Sequence, residues 1–373
     1  MLRTHPLSRR HAAGFSLVEI MVALAIGMLA SIVMLQMFSL SEERSRTATT
    51  GGDAQSNGVL TFYQLQSNIA RAGYGLNSVA LFNCSTSWPV ASGTLLATSL
   101  RLAPVTVNPV DDTTAHAAII PAGDLHTDTL LVMYGNSDGQ PEGNTADVST
   151  TANSYTMQMA SSFAVGDRVI AVPSAPTGCS AGLTMDRVTA VAPTTQTVTV
   201  ATSASGATLF NLGRGPNGLA TAGAQNGPTV LAYAIRNGNL TVCDFIVNDC
   251  SISANTGDAT VWEPLASNIV SLRVQYGHDT GTPMDGIVDA YDQTTPTTCS
   301  EWTRVSALRI GLVARSAQFE KTAVTPAALT WDGTAGAAID LSANANWQHY
   351  RYKLFQSVIP LRNITALGVF TGC

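Results

Sequence analysis

The chain has 373 residues, 45% of them apolar and only 12% charged, with 19 basic and 25 acidic side chains for a net charge of −6. That length passes the roughly 250–300 residues at which a single core stops growing, so one large domain or two smaller ones fit. The charge balance removes the electrostatic case for nucleic acid, and the apolar content excludes a disordered chain. Lysine occurs only as Lys321 and Lys353, and so sparsely charged, Thr-rich a composition suits an extracytoplasmic protein.

Residues 1–14 carry Arg3, Arg9 and Arg10 with His5 and His11, and no acid. From Ile20 to Leu40 follow 21 residues without a formal charge. At ~1.5 Å rise per residue such a helix is about 31 Å long, enough to cross a hydrocarbon core of roughly 30 Å. The basic flank keeps Met1 cytoplasmic and sends the rest of the chain outward. The apolar stretch is longer than that of a secretory signal, and no small-residue cleavage site follows it. Glu19 stands at the cytoplasmic start of this helix, where an ionisable group is expensive and needs a partner, or else snorkels to the membrane surface.

The setting Gly14-Phe15-Ser16-Leu17-Val18-Glu19 resembles the class III leader of type IV prepilins and pseudopilins. A short basic leader, Gly before the cut, Phe after it and Glu fifth in the mature chain make up the likeness. The resemblance implies that a membrane-embedded prepilin peptidase cuts between Gly14 and Phe15 and methylates the new Phe15 amine. It further implies that this ammonium pairs with Glu19 between neighbouring subunits and sets axial register, an ion pair that offsets the cost of desolvation.

No proline occurs between Phe15 and Pro89, so nothing of that kind breaks the helix. Glu42, Glu43, Arg44 and Arg46 mark its exit into water, and Gly51-Gly52 is a weak point or local unwinding, since each glycine costs about 1 kcal/mol relative to Ala. Val59, Phe62, Leu65, Ile69 and Ala72 then recur at three- and four-residue spacing, an amphipathic stripe expected to pack on the head. Gly73 supplies the stop. The reading is a leader over 1–14, a transmembrane or filament-core helix over 15–40, and its amphipathic continuation over 41–76.

From Asn77 the pattern changes to strands and turns. Thr127–Tyr134, Arg168–Val172, Thr197–Ala201, Val230–Arg236, Ile269–Tyr276, Val305–Arg315 and Tyr350–Ile359 are rich in Val, Ile, Leu, Thr and Tyr. In Val305–Arg315, Leu308, Ile310, Leu312 and Ala314 share one face while Arg309 and Arg315 share the other, the period of two of a half-buried strand. Strands parted by turn residues without amphipathic helices between them predict an antiparallel, β-rich head over 77–373. Residues 202–228 are low in complexity and read as a long loop or inserted excursion, which leaves open a division of the head into two subdomains. There is no internal repeat.

Residues 53–58, 62–65 and 71–75, with IVSLRVQYGHD (269–279), VSALRIGLVARS (305–316) and WQHYRYKLFQSVIPLRN (347–363), resemble the PilW family of type IV pilus minor pilins. The implied fold is α+β: a long N-terminal pilin-type helix, half transmembrane and half amphipathic, packed on a large antiparallel β-rich head. The implied role is non-catalytic: a low-abundance subunit that helps prime pilus assembly and forms part of the tip complex. Its implied partners are the prepilin peptidase, other minor pilins, the major pilin and a tip adhesin. It would lie in the inner membrane with its head in the periplasm, then at the pilus tip. A type II secretion pseudopilin shares the leader chemistry, and a membrane-anchored periplasmic enzyme or ligand-binding protein is a further alternative.

The six cysteines, Cys84, Cys179, Cys243, Cys250, Cys299 and Cys373, suit disulfides in an oxidising space and allow 15 connectivities. Cys243 and Cys250 bracket a short segment and form the expected local clip; Cys84 with Cys179 and Cys299 with Cys373 follow by elimination. His278–Asp292 is the one segment with metal-ligand character. Asp285-Gly286 and Asp289 resemble the second half of a calcium loop, yet Asp279 lies six residues ahead of Asp285 and Gly281 takes a ligand slot. The loop therefore holds calcium through Asp279, Asp285 and Asp289, or it is a solvated acidic turn. No other cofactor is expected. Gly213-Arg214-Gly215-Pro216-Asn217-Gly218 has dinucleotide-fingerprint spacing but neither follows a clear strand nor opens a helix. Asp138 and Glu142 read as a solvated turn, and Trp88, Trp262, Trp302, Trp331 and Trp347 as recognition aromatics or, more commonly, partly buried core.

Overall fold

The computed structural model describes residues 16–76, 78, 81–90, 93–110, 118–137, 139–140, 143–148, 153–172, 182–202, 208–214, 228–333 and 338–365. The chain divides into two compact units, residues 1–52 and 53–373. A helix, α1 (Leu17–Arg71), supplies all the described structure of the first and opens the second. It is unbroken at Gly51 and Gly52, contrary to the unwinding expected there. Two adjacent helix-destabilising residues are tolerated where the neighbouring turns keep their hydrogen bonds.

In the first unit every described side chain from Ser16 to Ser39 is exposed. Leu17–Ser39 is long and apolar enough to cross a membrane, and in such a helix the backbone groups are satisfied internally, as a bilayer requires.

In the second unit the helix buries Ala54, Gly58, Thr61, Leu65, Ile69 and Ala72. That line has the 3.6-residue period, but it differs from the expected stripe at its start: Phe62 is half-buried and Val59 is 47% exposed. Gly58 and Thr61 take the inward positions, and neither looks apolar in sequence. At the end of the helix Gly73 has φ +83°, the left-handed conformation a glycine cap adopts. Asn363 Nδ2 donates to the carbonyls of Arg71 at 3.1 Å and Ala72 at 3.0 Å, satisfying acceptors that the last turn leaves open.

The strands that follow are β1 (Ser85–Ser87), β2 (Leu100–Arg101), β3 (Val105–Val107), β4 (Leu130–Tyr134), β5 (Asn144–Val148) and β6 (Ser154–Met157). Next come β7 (Asp167–Val172), β8 (Leu183–Ala192), β9 (Thr197–Val200), β10 (Thr208–Arg214), β11 (Thr229–Arg236) and β12 (Asn239–Asp244). The last are β13 (Glu263–Ser267), β14 (Ile269–His278), β15 (Ala290–Asp292), β16 (Val305–Arg315) and β17 (Tyr352–Pro360). Two short helices, α2 (Cys299–Thr303) and α3 (Arg362–Thr365), flank β16 and β17.

Among the described residues three sheets result: β2-β1-β8-β7-β10-β5-β6-β9, β13-β12-β11-β4-β3 and β15-β14-β16-β17. Pairing is antiparallel throughout except between β1 and β8. In the first sheet β8 also pairs with β9, so β5 to β10 close into a small barrel filled by Tyr155, Met157, Phe163, Val169, Val198 and Leu209 among others. This barrel lies in sequence between β4 and β11, which pair directly, Tyr134 opposite Thr229. It is an insertion between two neighbouring strands. The low-complexity stretch 202–228 is therefore not a loop throughout: Thr208–Arg214 forms β10 and pairs with β7, with one bulge at Asn211/Gly213.

The strand expected over Val305–Arg315 is β16 with those bounds, but it is not half-buried. Leu308, Ile310 and Leu312 enter the main core, while Val313 joins Val270, Ile339 and Leu341 in a second cluster on the opposite face, under Trp331 and Trp347. Trp331 lies directly over Gly311, where a Cβ would stand 2.7 Å from its ring. The covering residues come from a segment without strand periodicity, so the sequence pattern of β16 registers only one of its two buried faces.

Candidate functional site

Glu19 sits in the first turn of α1, whose opening bonds are the amides of Glu19 and Ile20 donating to Ser16 O at 3.0 and 3.1 Å. A carboxylate there complements the positive end of the helix dipole. Glu19, Ala23, Gly27 and Ser31 recur at four-residue spacing and line one shallow groove on the helix surface. Ser31 Oγ donates to Gly27 O at 2.9 Å, so the hydroxyl costs nothing in an apolar setting. The face thus combines one acid with small residues that let another helix approach closely. Gly14 and Phe15 lie outside the described residues.

The second half of α1 is tied to the head by polar as well as apolar contacts. Asn68 Nδ2 donates to Tyr233 Oη at 2.7 Å, and Tyr134 Oη donates to Asn68 Oδ1 at 3.1 Å, linking the helix to β11 and β4. Burial pushes the Tyr233 phenol well above its ordinary range. Phe62 packs on Phe355 of β17, with ring centroids 6.2 Å apart.

Cys243 and Cys250 form the expected clip, with S–S 1.99 Å. Cys84 and Cys299 are also disulfide-bonded, whereas Cys179 and Cys373 lie outside the described residues. The 278–292 loop is held by its own backbone. Asp279 accepts from the amides of Gly281, Asp285 and Gly286 at 3.1, 3.0 and 2.7 Å, while Asp289 accepts from Thr280 N and Oγ1. Asp285 accepts from the Ile287 amide at 2.9 Å. Arg304 Nη1 donates to the carbonyls of Asp279 and Gly281 at 3.0 and 3.1 Å. A guanidinium therefore already occupies two oxygens of the loop, and the three carboxylates Asp279, Asp285 and Asp289 are spent on separate donors. Among the described residues no three His, Cys, Asp or Glu side chains group so as to hold a metal ion.

The histidines are dispersed. His126 pairs with Asp340 at 3.5 Å, His278 with Asp292 at 3.3 Å, and His349 Nδ1 contacts Glu320 O at 2.7 Å. His116, Asp138 and Glu142 lie outside the described residues. Gly213-Arg214 does end a strand, contrary to expectation. That strand is antiparallel and bulged at Asn211/Gly213, not the parallel strand of a nucleotide fold. Trp88, Trp262 and Trp302 are fully buried, and Trp331 and Trp347 half-buried, so these aromatics are chiefly core.

Two protein families match the chain. Residues 232–363 match the family described as Type IV Pilus-assembly protein W, and residues 9–35 match the Prokaryotic N-terminal methylation motif. Both matches agree with the resemblance of the chain to PilW-family minor pilins. The first match runs from β11 to α3, taking in two of the three sheets' later strands and the resembling segments 269–279, 305–316 and 347–363. The barrel lies wholly outside it. The second spans the end of the leader, Glu19 and most of the apolar helix, and supports membrane anchoring of the chain. Comparison with curated proteins and with solved structures returned no match. This likeness to a pilin family points to contact with other pilus components and to a structural role.

Proposed function

We propose that this chain is a minor pilin that helps prime type IV pilus assembly and then stands in the tip complex, with its head in the periplasm before assembly and at the cell surface after it. The observation that carries the reading is Glu19, the one acid in an exposed apolar helix, within the span that matches the methylation motif. Cleavage between Gly14 and Phe15 frees an amine four residues from Glu19. In the low dielectric of a membrane or a filament core, that ammonium and the Glu19 carboxylate of a neighbour offset each other's desolvation. Only one axial register brings them together. The head then acts by contact with other minor pilins, the major pilin and a tip adhesin, and performs no catalysis.

Mass spectrometry of the protein from membranes tests the processing step. The expected first residue is N-methylated Phe15; an intact Met1 would refute the reading. Affinity purification of the full chain separates this role from secretion: pilus components are expected to co-purify, and secretion-system partners alone would favour a pseudopilin.

A further inference from the structure

Among the described residues the sheets of the head present five free margins, and four of them are blunted. Strand β2 has two residues, β3 and β15 have three each, and β13 carries Pro264 and a register shift opposite Leu240/Thr241. These are the usual devices against edge-to-edge pairing. Strand β17 is different: nine residues pair with β16 in unbroken register, from Ala307 opposite Pro360 to Arg315 opposite Tyr352.

The register fixes which backbone groups point outward. Ser316 N donates to Arg351 O and Leu361 N to Ser306 O, so residues 351, 353, 355, 357, 359 and 361 face β16. Antiparallel pairing alternates. The amides of Tyr352, Leu354, Gln356 and Val358 therefore point away from the sheet, and among the described residues no backbone carbonyl meets them. Of their carbonyls, Val358 O has a contact with Ser357 Oγ at 3.5 Å. Val358 is 46% exposed.

We infer that the β17 edge takes up an extended strand from another pilus subunit, by main-chain pairing to Tyr352, Leu354, Gln356 and Val358. The inference rests on the reading of the chain as a pilus subunit. Four donors at two-residue spacing match the carbonyls of an extended peptide and of little else. Charge selects the partner. Lys353 and Arg362 are exposed near the two ends of the strand without an ion pair among the described residues, so an acidic strand is favoured; a second copy would bring the same cations to the ladder. Apolar side chains on that strand would extend the cover over Phe355 and Phe62, which are only half-buried.

The test uses the full chain in piliated cells. A photo-crosslinking p-benzoylphenylalanine replaces Val358, and Leu125, exposed but off the edge, serves as control. The expected adduct at 358 joins the chain to an extended segment of a different pilus protein, with none from 125. In parallel, Val358→Pro removes one outward amide while leaving the β16 ladder intact, and Val358→Glu sets an acid against the acidic strand without changing the backbone. Both are expected to cut co-purification of pilus partners by roughly tenfold, the first by losing about one hydrogen bond's worth of pairing and the second by like-charge repulsion. An adduct only between two copies, no adduct at 358, or co-purification unchanged in both variants would overturn the inference. Wild-type protein that co-purifies with no pilus component would instead count against the underlying pilin reading.

Discussion

Gly58 of α1 lies directly against the ring of Phe355 on β17, which fills the space that a Cβ at position 58 would need. This contact brings the helix that follows the methylation motif onto the last strand of the region that matches the PilW family. A glycine in mid-helix costs about 1 kcal/mol in propensity, and the close approach accounts for its presence.

Gly58→Val should therefore destabilise the protein by about 1–3 kcal/mol, since the overpacked ring has to move and a β-branched residue recovers little helix propensity. Chemical denaturation of the full chain in detergent measures this. Stability equal to wild type would mean that the ring moves without cost.

Burial pushes the Asp244 carboxyl up to about 6, although the Ile246 amide donates to it at 2.8 Å. Between about pH 4 and pH 6 the folded state binds this proton more tightly than the unfolded chain. Stability contributed by the protonated acid is thus lost as the pH rises through that window, and the profile is level above it. Asp244→Asn should remove the slope and stabilise the protein at pH 7 by ~1–2 kcal/mol, allowing for partial exposure. Unfolding at pH 4.5 and pH 7 compares the two; an unchanged slope in the variant would assign the titration elsewhere.

The Asp279–Asp289 loop is closed by amides and by Arg304. A calorimetric calcium titration should accordingly be flat, and Arg304→Ala should destabilise the protein by about 1–3 kcal/mol by leaving two carbonyls unmet. A saturable isotherm that Asp285→Ala abolishes would place calcium in the loop instead.

The parts of the molecule that can be read from sequence are those with local periodicity. Strand β16 has its expected bounds because Leu308, Ile310 and Leu312 alternate with Arg309 and Gly311. Gly73 ends the helix region for the conformational reason expected of it. The inner line of α1 was less legible, because Gly58 and Thr61 are buried by close approach, a tertiary effect. The second buried face of β16 depends on Trp331, which arrives from an irregular segment. The barrel is an insertion between β4 and β11, and nothing local to Tyr134 or Thr229 signals that they are neighbours. Strand β10 is hidden by a Gly/Ala-rich surrounding. At the site, Glu19 was legible from charge alone, whereas the guanidinium in the acidic loop comes from Arg304, well beyond the motif itself.

A role in pilus assembly is tested most directly by pilus counts, by electron microscopy, in a strain lacking the gene. Surface pili should be lost or sharply reduced, restored by the wild-type gene and not by Glu19→Val. Normal piliation in a deletion strain with no second copy of the gene would contradict it.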